Sequence, residues 1–271
     1  MKYIGKTLHF LNRNFFYLLV FCLVPAVLIV ADFDVAALVG LFARLWSGGE
    51  GFTPAEIFAA MTFLFKPTYW LAIIVIVVLL FSVCLCFSYT DRRMRIGISS
   101  IIKPFRKVNE VLVAVFSVGG VLLAAYELVT FLFANLLVLL SRIDSLALQA
   151  VFIPLLLILL YGLIFFLCSL AVNWIPLMLI PGYRFSEAFG VSVRMAQGHA
   201  FRLMIGLAFP FLVTIPFMIL AKSYLNFMML DYLICVVGYV IQIAYVVSYC
   251  MVVYFDMTGR ERVDLKSYLS Y

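Results

Sequence analysis

Asp91-Arg92-Arg93-Met94-Arg95-Ile96-Gly97-Ile98-Ser99-Ser100-Ile101-Ile102-Lys103-Pro104-Phe105-Arg106-Lys107 carries six of the chain's 19 basic residues between two long apolar runs. Such a stretch is read as one side of a membrane, because Lys and Arg resist translocation and collect in cytoplasmic connections. The same rule sorts the rest of the chain. Lys2, Lys6 and Arg13 precede the first apolar run, Arg184, Arg194 and Arg202 lie between the fourth and fifth, and Arg260, Arg262 and Lys266 follow the sixth. These segments alternate with ones holding only Arg44, Lys66, Arg142 and Lys222. Fifteen basic residues therefore fall on one side and four on the other. The expectation is an all-α polytopic membrane bundle of six transmembrane spans, lying in a cell membrane with both termini cytoplasmic.

The composition demands a membrane on independent grounds. The chain is 67% hydrophobic and 12% charged, where a soluble domain is about 45–50% apolar and about 25% charged. A single soluble core of 271 residues cannot bury that excess. The net charge of +6 belongs to residues that flank spans, so anionic headgroups on the cytoplasmic side, and not nucleic acid, are the expected electrostatic partners. The N-terminal run lacks a clear small-x-small cleavage site before Asp32 and is followed by five further spans, so it reads as a span and not as a signal peptide.

The spans are placed at residues 15–31, 69–90, 111–140, 146–180, 203–221 and 232–255 of one membrane domain, residues 1–271. About 20 helical residues cross a ~30 Å hydrocarbon core. The third and fourth runs are too long for that, reaching ~45–50 Å at ~1.5 Å per residue. Either they kink, at Gly119-Gly120 and Pro154, or they project as an apolar hairpin that turns at Ser141-Arg142-Ile143-Asp144. A projecting hairpin needs cover, which the connection from Asp32 to Pro67 can provide. There Asp34 opens a short helix with Val35, Leu38, Phe42 and Leu45 on one face, and Gly48-Gly49 ends it. Thr53-Pro54-Ala55-Glu56 reads as a capping box with proline at the first helical position, opening a second short helix. Both are expected to pack on spans 3 and 4. On the basic side, Arg92–Lys107 reads as an interfacial amphipathic helix with snorkelling cations. Ser186 is a candidate N-cap for another, with Phe185, Phe189, Ser192 and Met195-Ala196 along its less polar stripe.

Motifs for chemistry are scarce. The two histidines, His9 and His199, form no His-Glu-x-x-His. There is no Gly-x-Ser-x-Gly elbow and no phosphate-cradling glycine loop; Gly119-Gly120 lies inside a span, where it suits close helix packing. The six cysteines all lie in apolar runs and read as small buried hydrophobes. Cys84-Leu85-Cys86 lacks nearby His or acidic partners for a metal. No metal and no cofactor is expected. Glu127, in Ala124-Ala125-Tyr126-Glu127-Leu128, is the clearest exception to the apolar rule within a span. An acid at mid-bilayer costs ~2.5–3.5 kcal/mol even on insertion scales, so it must face a partner or be protonated. It reads equally as a relay or substrate contact and as a structural hydrogen bond. Asn135 and Asn173 are further polar candidates, expected to bond between helices.

Phe185-Ser186-Glu187-Ala188-Phe189, Ser192 and Gly198-His199-Ala200-Phe201-Arg202-Leu203 lead into span 5. Span 6 ends in Tyr254-Phe255-Asp256, followed by Arg260-Glu261 and Asp264-Leu265. This pairing, over residues 184–271, resembles the membrane domain of glycerophosphoryl diester phosphodiesterase-like proteins and related six-span bacterial families. Those typically have Trp after the Ser and Asn after the Gly, where this chain has Val193 and His199. The resemblance implies a bacterial cytoplasmic membrane and a similar bundle. It implies no phosphodiesterase activity, because the soluble catalytic domain is absent from this sequence. Independently, Glu187, Arg194, Arg202 and Asp256 form a candidate charge cluster, with Asp256 or Glu187 expected to pair with Arg194 or Arg202.

Three functions fit such a chain: a non-catalytic membrane component working through lipid or a membrane-protein partner, a transporter or channel-like protein with a cavity at Glu127, and an intramembrane lipid-modifying enzyme. A closed apolar bundle favours the first, a polar cavity reaching Glu127 the second, and Glu, His or Ser groups around a headgroup-level groove the third.

Overall fold

The structure is a computed structural model that describes residues 2–33, 38, 40–41, 43–44, 53–62, 64, 69–97, 100–141, 146–224 and 228–266. Its elements are α1 (Lys2–Asp32), α2 (Pro54–Met61), α3 (Tyr69–Ile96), a 3-10 turn (Lys103–Lys107), α4 (Val108–Ser141), α5 (Leu146–Leu170), α6 (Trp174–Leu179), α7 (Phe185–Ala196), α8 (Ala200–Tyr224), α9 (Met228–Met257) and α10 (Val263–Lys266). Six helical stretches are long and apolar enough to cross a membrane. The chain is thus an all-α, multi-pass integral membrane protein.

The six spans close into a ring. α1 packs on α3, α3 on α4, α4 on α5, α5 on α8, α8 on α9, and α9 returns to α1. α9 also touches α3 and α6, which places it toward the inside. Burial agrees: half of the apolar window of α9 is enclosed, against 11% for the Val151–Leu179 window that includes α5. α9 is the central post and α5 an outer stave.

α1 starts at Lys2, thirteen residues before the expected span. Its buried positions explain why. Thr7, Phe10, Leu11, Asn14, Leu18, Phe21, Cys22, Pro25, Ala26 and Ile29 recur at steps of three and four, the seam that holds a helix against a neighbour over many turns. Tyr89 of α3 closes on the same stripe. Its hydroxyl donates to Asn14 Oδ1 at 3.0 Å and its ring stacks on Tyr17 at 5.5 Å. Ser82 Oγ donates to the Phe21 carbonyl at 2.5 Å, and the sulfurs of Cys22 and Cys86 lie 3.4 Å apart. All six cysteines are free.

Two sequence expectations change. The helix expected over Arg92–Lys107 is not one element: Arg92–Ile96 form the last turn of α3, and Lys103–Lys107 a 3-10 turn. Gly97 separates them at φ +77°, the left-handed conformation that ends helices. The fourth run is not one helix to Ile180. It stops at Leu170 and resumes at Trp174. Pro176 accounts for this, because in a continuous helix its ring would clash with the carbonyl four residues back, at Val172.

By contrast, α4 runs unbroken through Gly119-Gly120 and α5 through Pro154. Their far halves build a second core, separate from the main one, in which Phe133, Ala134, Leu137, Val138, Ile153 and Leu160 meet Leu41 and the α2 residues Ile57 and Met61. α2 is the expected cover, and Thr53 and Glu56 form its capping box, with Glu56 N to Thr53 Oγ1 at 3.2 Å and Thr53 N to Glu56 Oε2 at 2.9 Å. The Gly48-Gly49 break and Asp34, Val35, Phe42 and Leu45 of the other cover helix lie outside the described residues, as does the turn at 142–144.

Among the described glycines, Gly206 of α8 makes the tightest approach to an aromatic ring. A Cβ there would lie 2.1 Å from the Tyr249 hydroxyl oxygen and 2.4 Å from its ring carbon. Gly206→Ala is therefore expected to lower stability by roughly 1–3 kcal/mol. Gly120→Ala, where a Cβ meets open space, is expected to be close to neutral. Thermal unfolding of both variants in detergent, followed by circular dichroism, checks the contrast.

Candidate functional site

The start of α1 and the end of α9 meet at one end of the bundle, here the terminal face. Asp256, in the last turn of α9, pairs with Lys2 at 3.0 Å and with Lys6. The expected partners were Arg194 or Arg202; among the described residues no ion pair joins either of them to Asp256 or Glu187. The reason is the length of α1: its first two turns run beside α9 and bring Lys2 and Lys6 to the carboxylate. Glu187 instead accepts from the Arg184 backbone N–H at 3.3 Å, at the start of α7, so the residue that caps that helix is Arg184 and not Ser186. Arg194 Nε donates to the Gly190 carbonyl at 3.3 Å, one turn back. Glu187 and Arg194 are thus held by local contacts near α7, whereas Asp256 is held by the first turns of α1.

Other charges on this face also find nearby acids. Arg95 pairs with Asp91 at 2.8 Å. Arg262 holds Asp264 through Nε at 3.2 Å and a second nitrogen at 2.8 Å, with its guanidinium 5.8 Å from the centre of the Phe10 ring. The charged tail is thereby docked, and α10 packs on α3.

α6 and α7 tie the broken fourth span to this face. Trp174 lies 4.6 Å from each of the Phe185 and Phe189 rings, and its indole N–H donates to the Phe185 carbonyl at 2.9 Å. Ser192 Oγ donates to the Leu170 carbonyl at 2.6 Å, satisfying one of the free carbonyls at the end of α5. Asn173 is fully buried, and its amide nitrogen lies 3.5 Å from Met257 Sδ. It does bond between elements, from the helix break to the end of α9. Asn135 does not: it is exposed and donates to the Phe131 carbonyl of its own helix at 2.7 Å.

A groove opens between the first turns of α1 and the start of α8. It has a volume of about 420 Å³ and is lined by Tyr3, Ile4, Gly198, His199, Phe201, Arg202, Ile205 and Tyr249. Tyr249 is its floor, fully buried, with its hydroxyl donating to the Leu203 carbonyl at 3.3 Å. Arg202 and His199 belong to the sequence stretch that enters span 5, but the part played by Tyr3, Ile4 and Tyr249 has no local signal. Those residues join the site only through the α1–α9 and α8–α9 contacts.

Glu127 lies away from this groove, beside α2. It is 6% exposed. Its Oε2 accepts the Thr62 hydroxyl and its Oε1 accepts the Leu64 N–H at 3.1 Å. The neighbouring Tyr126 hydroxyl donates to the Met61 carbonyl at 2.6 Å. Two consecutive residues of α4 thus grip the end of the α2 cover. Its position within span 3 singled out Glu127 as needing a partner; that the partner comes from the connection between α1 and α3 is a tertiary fact.

At the other end of α2, the Thr53 N–H and hydroxyl hold the Glu56 carboxyl below the usual carboxylate range. A depressed folded-state value means that this contribution is present above the ordinary carboxylate range and is lost as pH falls.

Comparison with protein-family models, curated proteins and solved structures finds no match. The resemblance over residues 184–271 therefore stands on those residues alone.

Removing the grip should loosen the cover. Thr62→Val and Glu127→Ala are each expected to cost about 1–3 kcal/mol, the penalty of stranding a buried hydrogen-bonding group. Hydrogen exchange at the Leu64 amide is expected to accelerate in Glu127→Ala and to stay slow in Asn135→Ala.

Proposed function

We propose that this integral membrane protein is a non-catalytic component that works through contacts with lipid and with a membrane-protein partner. The observation that supports this most directly is the use made of Glu127. Both of its carboxylate oxygens are engaged by Thr62 and Leu64, so the acid within a span holds the α2 cover in place. A relay or substrate site at Glu127 would have to dismantle that structure in each cycle.

The terminal face is the cytoplasmic one on this reading. Arg92, Arg93 and Arg95 end α3, Arg184 and Arg194 flank and end α7, Arg202 opens α8, and Arg260 and Arg262 follow α9. These positions agree with the positive-inside rule. The membrane is a bacterial cytoplasmic membrane on the strength of the resemblance over residues 184–271 to the membrane domain of glycerophosphoryl diester phosphodiesterase-like proteins.

Two measurements test the proposal. A green fluorescent protein fused to the C-terminus is expected to fluoresce, and alkaline phosphatase at the same point to be inactive; the opposite pattern would reverse the orientation. In proteoliposomes under an imposed pH gradient, proton flux is expected to equal that of protein-free vesicles. A flux that Glu127→Gln abolishes would overturn the reading in favour of a transporter.

A further inference from the structure

We propose that the groove between α1 and α8 is a binding site for an anionic phospholipid, with the phosphate at Arg202 and His199 and an acyl chain along α8. This rests on the reading of the protein as one that works through lipid contacts, and it assigns that contact to one place.

The charge of the groove argues for an anion. On the terminal face Lys2 and Lys6 are paired with Asp256, Arg95 with Asp91, and Arg262 with Asp264. Arg202 and His199 line an open cavity and make no ion pair with a described acid. A guanidinium presents a planar fork of donors that matches phosphate oxygens. The first-turn N–H groups of α8 add donors in the same place. Leu203 N, bonded to the His199 carbonyl at 3.0 Å, makes the first bond of that helix, so the amides of Ala200, Phe201 and Arg202 precede it.

The apolar lining argues that the anion carries a lipid. Ile4, Phe201 and Ile205 border the same cavity. Phe201, Ile205 and Leu212 recur at helical spacing on α8 and are 69%, 44% and 69% exposed. They form an apolar row that leaves the groove along the axis of a membrane-spanning helix. A soluble phosphate would gain nothing from that row, whereas an acyl chain would cover it. A volume of about 420 Å³ lies within the roughly 300–1,000 Å³ range of small-ligand clefts, enough for a headgroup and glycerol with the chains outside. The floor is set before a ligand arrives, because Tyr249 is locked between the Leu203 carbonyl and the bare backbone of Gly206.

The test uses the full chain purified in a mild detergent, with thermal shift and native mass spectrometry as readouts. Phosphatidylglycerol is expected to raise the melting temperature and to remain bound, with phosphatidylcholine and inorganic phosphate doing neither. Arg202→Gln with His199→Ala is expected to weaken phosphatidylglycerol binding by about tenfold or more, the worth of charge-assisted bonds. Ile205→Trp, which fills the groove without changing charge, is expected to weaken it as well. Arg95→Ala is expected to leave it unchanged. Lipid-free melting temperatures report whether each variant is folded. Equal binding of phosphatidylcholine, a full shift with inorganic phosphate, or undiminished phosphatidylglycerol binding in both Ile205→Trp and the charge variant would overturn the site. Flux through proteoliposomes of the same protein reports separately on the broader reading, which survives loss of this site but not the appearance of Glu127-dependent transport.

Discussion

Among the described elements the contact between α1 and α9 is the most extensive, and the rest of the bundle is arranged around it. α1 contributes a seam of three- and four-residue steps from Thr7 to Ile29. α9 contributes Val236, Val240, Ala244 and an almost unbroken buried run from Val247 to Phe255. A helix buried on that many sides must be touched by several neighbours, and α9 is: by α1, α3, α6 and α8. The Asp256 pairs with Lys2 and Lys6 close the seam at its charged end. The groove lies between α1 and α8, with Tyr249 of α9 at its floor.

A second constraint acts throughout the spans. Polar groups in hydrocarbon lack water to bond, so each needs a partner within the protein. This chain meets much of that need with short side chains that reach nearby backbone or one facing group, while the buried hydroxyls of Tyr245 and Ser248 in α9 make no hydrogen bond with a described residue. Ser82 bonds to the Phe21 carbonyl and Ser192 to the Leu170 carbonyl. Gln242 of α9 donates to Thr214 of α8 at 2.6 Å, while Thr214 donates to the Pro210 carbonyl at 2.8 Å. Thr62 and Leu64 do the same for Glu127. The break at residues 171–173 belongs to this pattern too. Pro176 prevents continuous bonding, and Asn173, Trp174 and Ser192 hold the ends of the interruption.

How much of this was legible in the sequence depends on whether a feature is local. Hydropathy and the alternation of basic segments gave six helices of spanning length, and Thr53-Pro54-Ala55-Glu56 gave the start of α2, because both signals sit within a few residues. Arg92–Lys107 misled because its apolar and basic residues suit one amphipathic helix, whereas Gly97 and Pro104 decide the backbone. The early start of α1 was present as periodicity in Thr7, Leu11, Asn14 and Leu18, but the lysines before it drew the boundary inward. Asp256 was legible as a charge at a span end and illegible in its partners. Lys2 and Lys6 lie 254 and 250 positions away in sequence, and only the α1–α9 seam brings them close. The groove is in the same class: Arg202 and His199 are adjacent to a span entry, while Tyr3, Ile4 and Tyr249 arrive from two other helices.

The two ends of the bundle differ in how their polar groups are used. At the α2 end one face of the α4–α5 hairpin is covered, its core is apolar, and the buried acid Glu127 is matched inside the protein. At the terminal face several cations are neutralised by acids of the chain itself, which limits their attraction for anything outside it. Arg202 and His199 are placed differently, beside an open cavity and an exposed apolar row. A charge left available next to apolar surface favours a ligand with both characters, because desolvating the cation is costly unless an anion meets it and covering the row removes area from water. A phospholipid brings both groups in one molecule and arrives from the phase in which the helices already lie. The asymmetry first visible in the placement of Lys and Arg thus narrows, in the folded chain, to a difference between charges already paired within the protein and Arg202, which lines the groove.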